Sequence, residues 1–516
     1  MGELTVDLHA PGMTPLHRAG AAGLYMTVRA LQRRKVAVPG LAAWESTPHK
    51  VTLRWEGAAA DFFEGLVRAA YGIDDDGLVE FAAIDRSRAS FEALWIAHEG
   101  MFGTFCQFGP NNALGERRTK VVTVDGQHPQ HFEYKPVLAG QAKSYPHRDK
   151  GGALIGSAID AGRDVGLVGW LFPGAVVRHV AFGEATAMDE SPARALALVF
   201  APVGCFFYKL QSRSLPRKAR AAIVVPEFDD LEAYANARDG QATKVRTGEV
   251  VVTGAGHAAL ELLASLASRN LLREHRLPRL TVTMLGIVTW NEKQKSRTGR
   301  IEVELKSDRA LRDYQRLRAV LGEQKVVQRK DGGTFLSLSP SLELFTENIV
   351  AARPFFAGFA GLMANNDVRA ALAADRKGLN MAVSRGTGLL DDEAQQAFVE
   401  ACHEALRRSY RIAGERASGE QVDVNARLAK EYDRWRYAFA KAKNADAFRE
   451  AITDFWSRGG ANGPLQGQWR AMLPLLSGPG WRLARDLALL ALASYARADQ
   501  PAASDAHVQD EKENQE

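Results

Sequence analysis

The chain reads as an α+β protein, with a mixed, sheet-containing N-terminal body over residues 1–350, a C-terminal α-helical bundle over 351–500, and a disordered tail over 501–516. Three observations predict this. Short alternating segments interleave with helix-compatible ones near the N-terminus, more strongly apolar strand-like runs crowd residues 165–330, and after about residue 350 strand signals give way to 3.6-residue periodicity. With 516 residues, 46% apolar and 25% charged, the chain is long enough for two or three domains and has neither a disordered nor a fibrous composition.

Taken in order, Leu4-Thr5-Val6-Asp7-Leu8 alternates as a strand does, and Ala10-Pro11-Gly12-Met13 breaks it before an apolar, helix-compatible stretch from Leu16 to Leu31. Val51 to Trp55 alternates again, a helical pattern carries Phe62, Phe63, Leu66 and Val67, and Leu78 to Phe81 is strand-like. Val165 to Phe172, Leu196 to Phe200, Ala222 to Val225, Val250 to Val252 and Leu280 to Trp290 are apolar runs of the kind found in the middle of a sheet. Ile301, Val303 and Leu305 alternate after a polar segment, so Leu280–Trp290 and Arg300–Leu305 are expected to pair as a hairpin with a long basic tip. Further on, Val424, Leu428, Tyr432, Trp435 and Phe439 step by three and four, leaving Arg427, Lys430, Arg434 and Lys441 on other faces. Phe448, Ile452 and Phe455 make a second stripe, ended by Gly459-Gly460. Leu483, Leu487, Leu490 and Ala491 make a third, with Arg482 and Arg485 off it. Several such helices with short Gly and Pro breaks make a bundle. Pro501 to Glu516, rich in Ala, Asp, Glu, Gln and Asn, has too little to bury and is expected to be disordered.

Most enzyme classes leave no trace. Cys106, Cys205 and Cys402 are too widely spaced for a zinc knuckle and too few for a disulfide framework. HExxH, Walker A and G-x-S-x-G sequences are missing. His128 and His131 are three apart, but Pro129 argues against a helix that would bring them together on a metal. Val250 to Ala259 follows the strand, G-x-G-x-x-A, helix grammar of a dinucleotide site, yet the next strand ends at Thr289-Trp290-Asn291 without a carboxylate for a ribose. A tight strand-to-helix turn is the competing reading of Gly254 to Ala259. No apolar run is long enough to cross a bilayer and the N-terminus lacks the order of a signal peptide, so a cytoplasmic protein without membrane contact is expected.

The charge of +5 and pI near 9.0 permit a polyanionic partner. Trp290 to Arg300 sharpens that reading: Lys293, Lys295, Arg297 and Arg300 can displace counterions from a phosphate backbone, while Asn291 and Gln294 can offer a paired donor and acceptor to a base edge. A solvated hairpin tip has the same composition. Lys143 to Gly152 mixes cations, an aromatic and glycines, and Asn111 and Asn112 place two carboxamides at a turn. Arg213, Arg217, Lys218 and Arg220 form one basic run, and Arg407, Arg408 and Arg411 another on a late helix. Each of these also reads as an ordinary turn or solvated face.

Several long strings resemble a known family. Glu3 to Gly20, Phe172-Pro173-Gly174-Ala175-Val176-Val177-Arg178-His179, the Lys293 to Thr298 segment, Phe455-Trp456 through Trp469-Arg470, and Trp481 to Asp486 look like the Cas-eight large subunit of type I CRISPR effector complexes, in its myxobacterial (MYXAN) variety. The resemblance implies a noncatalytic subunit of Cascade, the RNA-guided surveillance complex, with no cofactor. It implies guide RNA, target DNA and the backbone and small subunits as partners, with a helicase-nuclease or transposition factors acting downstream. The large subunit of that family recognises the protospacer-adjacent motif on duplex DNA and helps open the strands. On this likeness Lys293, Gln294, Lys295 and Arg297 are the first candidates for duplex contact, Asn111 and Asn112 the second, and Arg407, Arg408 and Arg411 the candidates for the displaced strand. The alternatives are a nucleotide-dependent enzyme using Gly254 to Ala259, and the same Cascade role in RNA-guided transposition.

Overall fold

The computed structural model describes residues 1–106, 114–122, 130–138, 145–173, 188–211, 219–242, 247–268, 279–288, 291–322, 325–328, 334–419, 423–458 and 460–496. The chain is α+β and divides into two compact units, Met1–Leu311 with Gln324–Leu338, and Arg312–Glu323 with Ser339–Glu516.

The first unit opens on a three-stranded antiparallel sheet in which Lys50–Trp55 lies between Gly2–Asp7 and Leu41–Ser46. The alternation read from the sequence is the burial pattern of the central strand, where Val51, Leu53 and Trp55 point inward. Helix Pro15–Arg33 begins with Pro15 at its first turn and a reciprocal cap, in which the His17 N–H donates to Thr14 Oγ1 and the Thr14 N–H donates to His17 Nδ1. It packs along helix Pro192–Gly204 at backbone contact. A Cβ placed on Gly20 would lie 1.7 Å from the Ala197 carbonyl oxygen, and one on Gly204 would lie 1.9 Å from that of Ala19. Only glycine permits that approach.

Two expectations are corrected here. Leu196–Phe200 is not a strand but the middle of helix Pro192–Gly204, started by Ser191 and Pro192. Every residue from Ala195 to Gly204 is buried, and a helix covered on all sides has no polar face to betray its period. Lys143–Gly152 is not simply a loop, because helix Pro146–Asp160 takes in its second half. Gly151 and Gly152 suggest a loop in sequence, yet Gly152 is there for packing. A Cβ would stand 2.4 Å from the Glu64 Cα on helix Ala59–Ala70. The same helix supplies Asp160, whose carboxylate accepts from the Ala59 and Ala60 N–H groups at 3.1 Å and caps the neighbour's otherwise uncapped start.

The main sheet of this unit has five strands in the order Val251–Val252, Phe206–Leu210, Ala219–Pro226, Leu280–Val288, Asn291–Val303. Only the first pair is parallel. Helices Phe91–Thr104 and Ala255–Ser268 pack against it. Leu280–Val288, flanked on both sides, is apolar at Leu280, Val282 and Leu285, while Asn291–Val303 forms one edge.

The described elements of the second unit are helical. Leu428, Trp435 and Phe439 of helix Val424–Lys441 meet Phe448, Ile452 and Phe455 of helix Ala445–Arg458 in an aromatic core, with Trp435 and Phe455 ring centroids 4.9 Å apart. Helix Trp481–Ser494 is buried nearly all round from Asp486 onward, beyond the single stripe expected of it, because helices Glu393–Gly419, Arg376–Val383 and Val424–Lys441 pack against it. Its Asp486 carboxylate accepts from the Gly358 and Ala360 N–H groups at 2.7 and 3.1 Å, capping helix Phe359–Ala364.

Candidate nucleic-acid interface

Two adjacent strands, Leu280–Val288 and Asn291–Val303, carry the basic segment. The expected long loop is instead strand almost to the turn, since the apolar Leu280–Val288 offers a ladder along its whole length. Arg300 lies opposite Thr283, Arg297 opposite Leu285 and Lys295 opposite Ile287, after which the register jumps to Asn291 opposite Val288. The jump leaves residues 292–294, Lys293 and Gln294 among them, without partners among the described residues of the neighbouring strand. A bulge of this kind re-aims side chains and ends regular pairing. Arg300, exposed, pairs with Glu302 at 3.0 Å. Lysines on an edge strand also have a structural use, since they discourage pairing with another sheet.

Helix Glu393–Gly419 carries Arg407, Arg408 and Arg411. All three are engaged along the helix. Arg407 makes two hydrogen bonds to the Glu404 carboxylate at 2.9 Å, Arg408 pairs with the same carboxylate, and Arg411 pairs with Glu415 at 3.2 Å. The Arg407 guanidinium holds the Glu404 carboxyl below its ordinary range. Two carboxylates thus offset much of the charge of three arginines. Asn111 and Asn112 lie outside the described residues, as do His128, Lys143, Arg213, Arg217, Lys218 and the tail 501–516.

A second basic cluster, which sequence reasoning missed, belongs to the second unit. Lys441, Lys443, Arg482 and Arg485 line a cleft of about 640 Å³ where the end of helix Val424–Lys441 meets the start of helix Trp481–Ser494. Trp481 also lines it, with the Arg482 and Arg485 guanidiniums 5.1 and 5.4 Å from the indole centroid. The signal available in sequence is a pair of arginines three apart in the first turns of a helix, where the backbone dipole favours carboxylates.

The Gly254 to Ala259 turn does not have the form of a dinucleotide site. Its strand is only Val251–Val252, at the sheet edge opposite Asn291–Val303, and two strands separate it from Leu280–Val288. Thr253 and His257 are buried, and the Thr253 N–H donates to His257 Nδ1 at 3.1 Å, closing the start of helix Ala255–Ser268. A pyrophosphate site of this kind needs an open turn, with the strand that follows the helix lying parallel beside the strand that precedes it. Among the described residues no group of three or more His, Cys, Asp or Glu is placed to hold a metal, and no helix is long and apolar enough to cross a membrane.

Comparison with known proteins adds the family. Residues 5–199 match the DevT N-terminal domain and residues 388–516 the DevT C-terminal domain. The chain is 31% identical over 527 aligned residues to a CRISPR-associated protein Cas8a1/Csx13 of Myxococcus xanthus strain DK1622, covering 95% of this chain and 88% of that protein. The likeness runs through both units, and the chain belongs to the Cas8a1/Csx13 family of CRISPR-associated proteins.

Proposed function

We propose that the chain is the noncatalytic large subunit of a type I RNA-guided surveillance complex, Cascade, and that it recognises a short motif on target duplex DNA and supports strand separation and R-loop formation. The observation that carries this reading is the near full-length similarity to a CRISPR-associated Cas8a1 protein. Guide RNA pairing supplies the sequence specificity, and the protein supplies a short duplex readout and a grip on the backbone, a division the physics of another RNA-guided effector also follows. Lys293, Lys295 and Arg297 meet phosphates in this scheme, and Gln294, in the bulge of the edge strand, meets a base. Asn111 and Asn112 are further candidates for duplex contact, and Arg407 and Arg411, exposed, with the half-buried Arg408 form a flank along which the displaced strand runs, their ion pairs with Glu404 and Glu415 opening as phosphates replace the carboxylates. The partners are guide RNA, target DNA and the other Cascade subunits, acting in the cytoplasm, with a helicase-nuclease or transposition factors recruited afterwards.

The test is co-expression with the neighbouring genes and a CRISPR array, pull-down on this chain, and sequencing of retained small RNA. A discrete guide RNA with backbone subunits is the expected result, and motif-dependent duplex binding by that complex follows. Recovery of the chain alone, with its partners shown to be expressed, defeats the reading.

A further inference from the structure

We propose that His9 and His49 together bind a divalent transition-metal ion of the kind that takes imidazole nitrogen, at the edge of the three-stranded sheet of the first unit. One residue follows strand Gly2–Asp7 and the other precedes strand Lys50–Trp55, and the antiparallel ladder sets them side by side. Asp7 lies opposite Lys50, and beyond that pair the Leu8 N–H still donates to the His49 carbonyl at 2.9 Å. The two rings stand 4.8 Å apart, centre to centre, with their planes at 61°. An imidazole nitrogen binds zinc at about 2.0–2.1 Å, which puts the ring centre about 3.2 Å from the ion. Two rings on one ion, at ligand–metal–ligand angles of about 90–109°, then stand about 4.5–5.2 Å apart. The observed separation falls within that span.

The nitrogens give a second, independent indication. His9 is exposed, and His49 is half-buried with its Nδ1 enclosed and, among the described residues, without a hydrogen-bond partner. Edge-to-face contact explains why two rings pack together, but it leaves unexplained a nitrogen shut away from water with nothing to bond. A metal ion uses the ring lone pair that a hydrogen bond otherwise takes. The main chain on both sides is already held, so little ordering opposes binding. The His9 N–H donates to Asp7 Oδ1 at 2.9 Å and the His49 N–H to Thr47 Oγ1 at 3.3 Å. Lys50, beside His49 in the chain, pairs with Asp7 Oδ2 at 3.0 Å, which offsets its repulsion of a cation. Two nitrogens leave the other coordination positions to water or to a donor from another chain, so this is an open site that clamps the two segments together. Imidazole suits zinc, copper and nickel, whereas magnesium and calcium take oxygen.

The inference is independent of the Cascade reading and is tested on the isolated full-length chain. Zinc chloride is titrated calorimetrically into the parent, His9→Ala, His49→Ala and the double variant. The tightest zinc ion of the parent is expected to bind at least about tenfold more weakly in either single variant, because one of two linked ligands is lost. The double variant is expected to show little further loss, since the pair acts as a unit. Magnesium chloride at the same concentration is expected not to compete. Should an alanine variant unfold below the parent, carbethoxylation mapped by mass spectrometry decides. Zinc is expected to protect the exposed His9 from diethyl pyrocarbonate in the parent and not in His49→Gln. No zinc binding by the parent, an unchanged tightest affinity in either single variant, competition by equal magnesium, or His9 protection that is missing in the parent or undiminished in His49→Gln would each overturn the proposal.

Discussion

Replacing Gly20 by Ala tests whether helices Pro15–Arg33 and Pro192–Gly204 depend on backbone contact. The new Cβ would stand 1.7 Å from the Ala197 carbonyl oxygen and 2.5 Å from its carbon. A carbon can approach a carbonyl oxygen to about 3.3 Å, so the helices must separate locally by about 1.5 Å. No side chain can move aside to absorb this. The contact recurs at Gly23, where a Cβ would lie 2.2 Å from the Phe200 oxygen, and reciprocally at Gly204, 1.9 Å from the Ala19 oxygen. Separation at one position therefore loosens the others, and a gap of 0.5–1 Å already forfeits about a quarter to a half of the dispersion energy across it. Overpacking costs about 1–3 kcal/mol or more, against roughly 1 kcal/mol gained from the better helix propensity of Ala. We expect a net loss of about 2 kcal/mol. Gly414, in helix Glu393–Gly419 with nothing within 4 Å of its Cβ position, supplies the control. There the same change retains the propensity term and stabilises by about 0.5–1 kcal/mol. Urea unfolding followed by far-UV circular dichroism should move the two midpoints in opposite directions. A Gly20→Ala midpoint at or above the parent's would refute the close-contact argument.

Alanine at Lys293, Lys295 and Arg297 together should shallow the salt dependence of target-duplex binding by the assembled complex by about two to three log–log units, one phosphate per cation; an unchanged slope removes this segment from the interface. Gln294→Ala should instead relax discrimination at one base pair of the motif by about 1–3 kcal/mol, measured with a randomised library. Burial pushes the imidazoles of His17, His147 and His403 down to about 4, 3 and 4. The unfolded chain takes up these protons near pH 6.5 and the folded chain does not, so stability present above pH 6.5 is lost toward pH 4, by at most about 1.4 kcal/mol per histidine per pH unit. Among the described residues neither ring nitrogen of His147 has a hydrogen-bond partner, and the ring sits against Tyr71, Phe105 and Trp170, so His147→Phe should flatten this acid limb with little loss at pH 7. A limb as steep as the parent's would show that His147 is protonated while folded. Asp486→Ala leaves the Gly358 and Ala360 N–H groups without their acceptor and should cost about 1–3 kcal/mol in thermal unfolding; no change would mean that water replaces the carboxylate freely.

The edge-strand hairpin illustrates how far residue patterning reaches. Leu280–Val288 is legible because it is apolar on both faces, and Ile301 and Val303 because they alternate. Residues 291–299 hide their strand character because an edge strand can be polar along one side, and charge then reads as loop. Leu196–Phe200 misleads for the opposite reason, since a fully covered helix and a central strand both appear as unbroken apolar runs. Arg407, Arg408 and Arg411 are legible as a basic cluster, but the glutamates three and four residues away that partly neutralise them count only once the helix is recognised.

By itself the sequence determined the α+β class, the helical C-terminal unit, the basic character of the hairpin and, through long strings resembling one family, membership that similarity to a Cas8a1/Csx13 protein bears out. These are properties of neighbouring residues or of whole strings, and need no knowledge of what packs on what. Only the tertiary structure decided which charges stand together. Lys441 and Lys443 meet Arg482 and Arg485 because two helices distant in the chain converge on Trp481, and closing Thr253 onto His257 in a buried turn is likewise a matter of the surrounding sheet and helix. Burial and convergence arise from contacts between distant segments, whose partners no local period encodes.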